Sequence, residues 1–357
     1  MNRLLFDLAD ALSDKKEQTI PVEISEVTAG QIIHNRIVGI AYDKLDLSKP
    51  KDKDIEKGLS AIYQDKIMST RKYKENLNYV ASILENVKFK YALLKGAYLT
   101  SQLYKEGHRT SNDIDILISA DDISSLQDVL LKNGFVQGQY KKGKGIIESS
   151  RMEVIQARMN FGETIPFLKM IGDNPLEIDI NFSVDFKPEG NKGIVKDLLD
   201  STMGFKAGEY EPKTLNAADF LIHLCCHLYK EATTYHWVED HRDLQLYKFS
   251  DINLYLHKFG NDNYFNKLLQ RVKVFNVEKE CYLTFFNSQI IFPKLKQIPG
   301  FEKFINDVKP DNTDFMQQVF SPLQKKLFKH DMDFTSWFFS SRRITHLKEI
   351  PYVDGEV

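Results

Sequence analysis

The run Asn112-Asp113-Ile114-Asp115-Ile116-Leu117-Ile118 constrains the fold more than any other stretch of the chain. Side chains alternate between the faces of a strand, so Asp113 and Asp115 share one face while Ile114, Ile116 and Ile118 share the other. The apolar face is fit for a core. The opposite face carries two negative charges side by side, which is costly unless a cation lies between them. Hard divalent metals select carboxylate oxygens. Upstream, Lys95-Gly96-Ala97 is followed by an amphipathic stretch to Lys105. A glycine turn opening a helix there points backbone N–H groups at the site, where they suit a phosphate. A phosphate cradle beside a carboxylate pair predicts a nucleotide-handling enzyme.

A second stretch repeats the pattern. In Leu176-Glu177-Ile178-Asp179-Ile180-Asn181-Phe182, Glu177 and Asp179 fall on the face opposite Leu176, Ile178 and Ile180. Glu177 and Asp179 are both candidates for a third carboxylate near the first two. The spacing predicts strands over residues 91–94, 113–119, 135–140, 164–171 and 176–182, and helices over 97–105 and from 123 to Asn133-Gly134. Asp121 or Asp122 is placed to cap the second of these helices. Pro166 assigns its strand to a sheet edge. Before residue 91 and after residue 216 the apolar periodicity is helical. The expected organisation is a helical N-terminal region over 1–90, a core over 91–210 and a mostly helical C-terminal domain over 211–357, with the active site in the cleft between core and helical domain.

The 357 residues suffice for a substantial core, and 42% hydrophobic with 27% charged residues is ordinary for a globular protein. A net charge of −2 gives no overall attraction for nucleic acid or an anionic membrane. Apolar runs fall short of a membrane span, and no signal-peptide pattern opens the chain. Three cysteines, Cys225, Cys226 and Cys281, make no disulfide framework and suit the cytoplasm. Cys225 and Cys226 have helical, apolar neighbours and read as core. The basic loop 141–145 reads as solvated. His223 and His227 lie four residues apart on one predicted helix, but no zinc-ligand spacing accompanies them.

Leu93-Leu94-Lys95-Gly96-Ala97, then Arg109, then Asp113-Ile114-Asp115 resembles the polymerase-beta-like nucleotidyltransferase superfamily. More narrowly it is similar to a bacterial group of uncharacterised nucleotidyltransferases. The superfamily more often has Gly-Gly or Gly-Ser where this chain has Gly96-Ala97. The narrower group commonly has histidine and tryptophan where Asn181 and Phe182 stand. The resemblance implies an α/β (α+β) fold with a small mixed sheet. It implies transfer of a nucleoside monophosphate, AMP from ATP foremost, to an acceptor hydroxyl or similar nucleophile, with release of pyrophosphate. Asp113, Asp115 and Asp179 are then the catalytic and metal residues for Mg²⁺ or Mn²⁺, Asp179 either completing the metal site or taking the acceptor's proton. Lys95, Gly96, Ala97, Arg109 and Ser111 are the expected triphosphate contacts. His227, Lys230 and Trp237 match a helix-and-tryptophan segment of the related family and are the expected acceptor wall, with Arg242 and Asp251 behind them. The near-neutral charge favours a small molecule or a protein over RNA, and a small-molecule acceptor is expected ahead of either macromolecule. Other readings stay open: a silent nucleotide-binding or scaffold protein, a toxin-type enzyme acting on protein or tRNA, and a phosphotransferase.

Overall fold

The computed structural model describes residues 2–12, 24–45, 53–155, 164–183 and 192–352. They form two units, one from Tyr63 to Phe220 and one from Met1–Ile62 together with Leu221–Val357.

The unit 63–220 is built on a mixed sheet of six strands in the order β1-β2-β6-β5-β3-β4. These are β1 (Tyr91–Leu93), β2 (Asp113–Ile118), β3 (Val136–Lys141), β4 (Gly145–Glu148), β5 (Phe167–Ile171) and β6 (Asn174–Asn181). The branched residues of β2 and β6 explain their central places. Ile114, Ile116, Ile178 and Ile180 are wholly buried, so both strands need cover that an edge position would not give. β2 runs parallel to β6, with Asp113 opposite Glu177 and Asp115 opposite Asp179. β1 is antiparallel to β2. A hairpin of β7 (Thr202–Gly204) and β8 (Lys213–Leu215) adjoins β1, where Thr214 Oγ1 donates to the Leu93 carbonyl at 2.7 Å. Helix Ile123–Lys132 buries Ile123, Leu126 and Leu130, and it stops at Asn133 and the left-handed Gly134 (φ 78°).

Three expected details are corrected. β5 starts at Phe167, after Pro166, and lies between β6 and β3 instead of at an edge. A proline has no N–H to give a ladder, so it sits just outside the strand, where its carbonyl accepts from Gly138 N–H at 3.0 Å. Asp122 does stand at the N-cap of helix Ile123–Lys132 but makes no side-chain cap bond; the capping oxygen is that of Ser119, which accepts from Asp121 N–H at 3.4 Å and caps the 3-10 turn over Ala120–Asp122 that precedes the helix. The helix after Gly96 ends at Gln102 instead of residue 105.

The second unit is mainly helical. Its helices include Glu26–His34, Ala217–Ala232 (from Leu221), Leu246–Phe259, Asp262–Phe275, Glu278–Ile291 and Phe301–Val308. Phe265, Phe285, Phe301 and Phe304 pack as a buried aromatic cluster, with Phe285 and Phe304 centroids 4.7 Å apart. A three-stranded sheet of β9 (Gln318–Ser321), β10 (Lys326–Lys329) and β11 (Lys348–Ile350) joins this unit. The chain start is sewn to its second half. Asn35 Oδ1 accepts from Leu246 N–H at 3.0 Å, the Asn35 carbonyl accepts from Tyr247 N–H at 3.2 Å, and Ser250 Oγ donates to the Ala9 carbonyl at 2.7 Å. Among the described residues no helix is long and apolar enough to cross a membrane.

Candidate active site

The parallel pairing of β2 with β6 assembles the carboxylates. Alternation puts Asp113 and Asp115 on one face of β2 and Glu177 and Asp179 on the same face of β6, and the register sets Asp115 against Asp179. One oxygen from each of Asp113, Asp115 and Asp179 lies within 4.8 Å of the others, a spacing that could hold a metal ion. The electrostatics match the crowding. Burial pushes the Asp179 carboxyl up to about 8, and Asp115, Asp113 and Glu177 push the same way. Asp113 is raised by burial and then by Asp115, and Glu177 by burial and then by Asp113.

Lys95 answers part of this charge. Its Nζ lies 2.8 Å from Asp115 Oδ1, and Asn181 Nδ2 approaches the same oxygen at 3.4 Å. Lys95 reaches it from the turn between β1 and helix Gly96–Gln102, with φ 40° and ψ −111°. That conformation costs a non-glycine residue about 1–3 kcal/mol, a strain of the kind that collects at functional sites. The turn is held by Leu94 N–H donating to the Asp115 carbonyl (3.0 Å) and Ala97 N–H to the Leu94 carbonyl (3.1 Å).

Glycine is required at 96 by close approach. A Cβ there would lie 2.0 Å from Ser111 Oγ and 2.6 Å from Ser111 Cβ. Ser111 Oγ in turn accepts from Arg109 Nη1 at 2.6 Å, and the same nitrogen donates to the Thr110 carbonyl at 2.9 Å. Arg109 is buried. Tyr73, on helix Lys53–Leu84, is wholly buried beside this group. Burial, with Asp113 and Asp115 adding, holds its hydroxyl well above the usual tyrosine range. Tyr73 and Asn181 are the neighbours that sequence reasoning passed over as site residues. Asn181 could have been found, since it continues the period-2 series of Glu177 and Asp179. Tyr73 could not, since on a helix it reads as one more buried apolar position.

The remaining predicted residues belong to the other unit. His227 Nε2 lies 3.4 Å from Glu231 Oε2, and its ring stacks at 6.4 Å on buried His223. Lys230 is on the same helix, its carbonyl accepting from Thr234 Oγ1 at 2.5 Å. The Trp237 ring carries the Arg242 guanidinium 4.8 Å from its centroid and has His236 at 5.1 Å. Asp251 is buried on helix Leu246–Phe259. Cys225 and Cys226 are buried in the core, as their neighbours predict.

The sequence profile of the family described as "Uncharacterised nucleotidyltransferase" matches residues 25–293, well over half the chain. The chain belongs to that family. It is therefore a nucleotidyltransferase-type enzyme, and a nucleoside triphosphate is the substrate that the family implies. The matched segment includes the whole carboxylate cluster and its Lys95–Gly96 turn. No curated protein matches the chain. The donor set agrees with the family. Three carboxylates, two of them raised by burial and mutual repulsion, fit a hard divalent cation far better than they fit each other's company.

Proposed function

We propose that this nucleotidyltransferase transfers a nucleoside monophosphate, AMP from ATP foremost, to a hydroxyl or similar nucleophile of a small-molecule acceptor. The observation that carries the reading is the convergence of Asp113, Asp115 and Asp179 across one parallel strand pair, beside a strained Lys95–Gly96 turn. Asp113, Asp115 and Asp179 would hold Mg²⁺ or Mn²⁺, and the ion supplies neutralisation of phosphate charge when bound. Lys95 and Arg109 bind phosphate oxygens, lysine as a point charge and arginine as a fork, while Ser111 sets the guanidinium. Gly96 and Ala97 keep the turn tight enough for that approach. Asp179 either completes that metal site or, once its own carboxyl is ionised, takes the proton from the acceptor O–H. The acceptor oxygen bonds to the α-phosphorus as the bond from that phosphorus to the bridging oxygen breaks, and pyrophosphate leaves with the electron pair. His227, Lys230 and Trp237 supply the acceptor's contacts. This enzyme is read as cytoplasmic.

Calorimetry with each of the four ribonucleoside triphosphates, with Mg²⁺ or with chelator, tests the reading together with a pyrophosphate assay. Metal-dependent binding of a triphosphate and pyrophosphate release with an acceptor are expected. Release of nucleoside diphosphate instead would make the protein a phosphotransferase. A second reading, nucleotide binding without catalysis, draws on Lys95, whose ammonium already offsets part of the carboxylate charge. Metal-independent binding with no pyrophosphate would favour it.

A further inference from the structure

The unit containing residues 221–357 has a cavity of about 430 Å³ against helix Glu278–Ile291, strand β9 and helix Phe334–Phe339. Most of its wall comes from residues 313–337, which lie beyond the segment matched by the family. One side is aromatic. Phe286 and Trp337 line it, and His330 stacks on Trp337 with ring centroids 3.7 Å apart and planes 6° from parallel.

The polar side is mixed, with Thr313, Gln317, Gln318 and Thr335 beside three residues that offer oxygen acceptors. Asn287 lines the cavity, is only 5% exposed, and its Oδ1 is buried with no hydrogen-bond partner. A buried amide oxygen without a donor keeps its desolvation cost, and an incoming N–H or O–H relieves it. Asp314 and Asp333 also line the space. Asp314 Oδ1 accepts from Lys329 Nζ at 3.0 Å, and Asp333 accepts from Ser336 N–H (3.1 Å) and Oγ (2.6 Å). No lysine or arginine occurs among the described lining residues. Lys329 already answers Asp314, whereas the contacts of Asp333 are to Ser336 alone, so Asp333 and Asn287 Oδ1 together favour a donor, above all a protonated amine, over phosphate or carboxylate.

We propose that this cavity binds a small aromatic amine, its ring against Phe286 and Trp337 and an N–H on Asn287 Oδ1. It is a site distinct in chemistry from that for a triphosphate, which needs cations. The assignment does not depend on the nucleotidyl-transfer reading, because its test measures binding alone.

The test uses three probes with one ring and different charge: benzylamine, benzyl alcohol and benzoate. Saturation-transfer NMR on the full chain reads each. Tryptophan fluorescence of Trp237→Phe, which leaves Trp337 as the sole tryptophan of the two in the chain, reports on the cavity wall. Benzylamine should bind and perturb Trp337. Benzyl alcohol should bind about tenfold more weakly, as a neutral donor does against a charged one, and benzoate not detectably. Asn287→Leu should weaken benzylamine about tenfold. Should that variant fail to fold, Thr335→Phe, which fills the space from its half-exposed rim, should abolish the transfer signal. No binding by any probe up to its solubility, benzoate binding as tightly as benzylamine, equal binding of amine and alcohol, or benzylamine binding that survives Thr335→Phe would each overturn the proposal.

Discussion

At the scale of single residues, the site is a balance of repulsion and one counter-charge. Replacing Asp113 by alanine removes a charge that faces the site, and replacing Asp115 also strips Lys95 of its carboxylate partner. Turnover should fall by more than about a hundredfold, since even groups that only orient a metal ligand are worth 10–100-fold. Thermal unfolding of Asp113→Ala should stay near the parent's or move up as repulsion is relieved, that of Asp115→Ala should move down because Lys95 is left unpaired, and in both the gain in melting temperature on adding Mg²⁺ should vanish. Unfolding of these variants would mark the carboxylates as structural. Gly96→Ala is the complementary case. The new Cβ meets Ser111 at 2.0 Å, so either the turn or Ser111 must shift, and Arg109 loses its hydrogen-bonded seat. A cost of about 1–3 kcal/mol in denaturant unfolding is expected for such overpacking, with triphosphate binding weakened. Adding Ser111→Gly to Gly96→Ala removes the clashing atoms and should restore stability but not the arginine's hydrogen bond. A double variant no more stable than Gly96→Ala would show the clash lies elsewhere.

At the scale of elements, what was legible depended on whether the cause was local. β2 and β6 declared themselves because period-2 alternation of isoleucine with carboxylate admits one arrangement; the same rule put Glu177 and Asp179 on one face, and the family resemblance chose Asp179 between them. Pro166 reads in sequence as part of an edge strand over 164–171, but its lack of an N–H means only that it stands outside the ladder, just before β5, and says nothing of an edge. Long-range bonds left no trace in sequence. Helix Leu246–Phe259 takes a first-turn partner from Asn35, 211 positions away, and no local pattern distinguishes that asparagine from a turn residue. The Lys95 contact with Asp115 is equally unreadable, because it depends on a backbone conformation that lysine rarely adopts. The Asn35 contact is testable. Asn35→Ala strips the acceptor from Leu246 N–H and should cost about 0.5–2 kcal/mol, the usual worth of a helix cap, while Asn35→Asp should recover much of it. Equal stability of the alanine variant and the parent in urea would show that water replaces the cap.

At the scale of the whole molecule, pH response sums groups of opposite sign, and His330 is the one that can be isolated. Burial pulls its imidazole down from 6.5 to about 4, with Arg343 and His346 adding to the same effect. Between those values the unfolded chain holds the proton and the folded chain does not. Stability from this group is therefore full above about 6.5 and is lost as pH falls through 4. Asp243 works the other way. Burial raises its carboxyl to about 6 against the opposing pull of Arg343, so in the range 3.8–6 the folded chain holds the extra proton and stability falls as pH rises. Asp113 and Asp179 carry the same sign as Asp243. The parent's curve mixes these opposed slopes. His330→Phe keeps a flat ring on Trp337 and removes the titration, so the carboxylate contributions cancel in the difference between parent and variant. That difference, from urea midpoints at half-unit steps, should be constant above pH 6.5 and change steadily from there to 4, with the parent losing ground as acid is added. A flat difference across that window would mean that His330 keeps an ordinary affinity for its proton and that its stack on Trp337 is open to water.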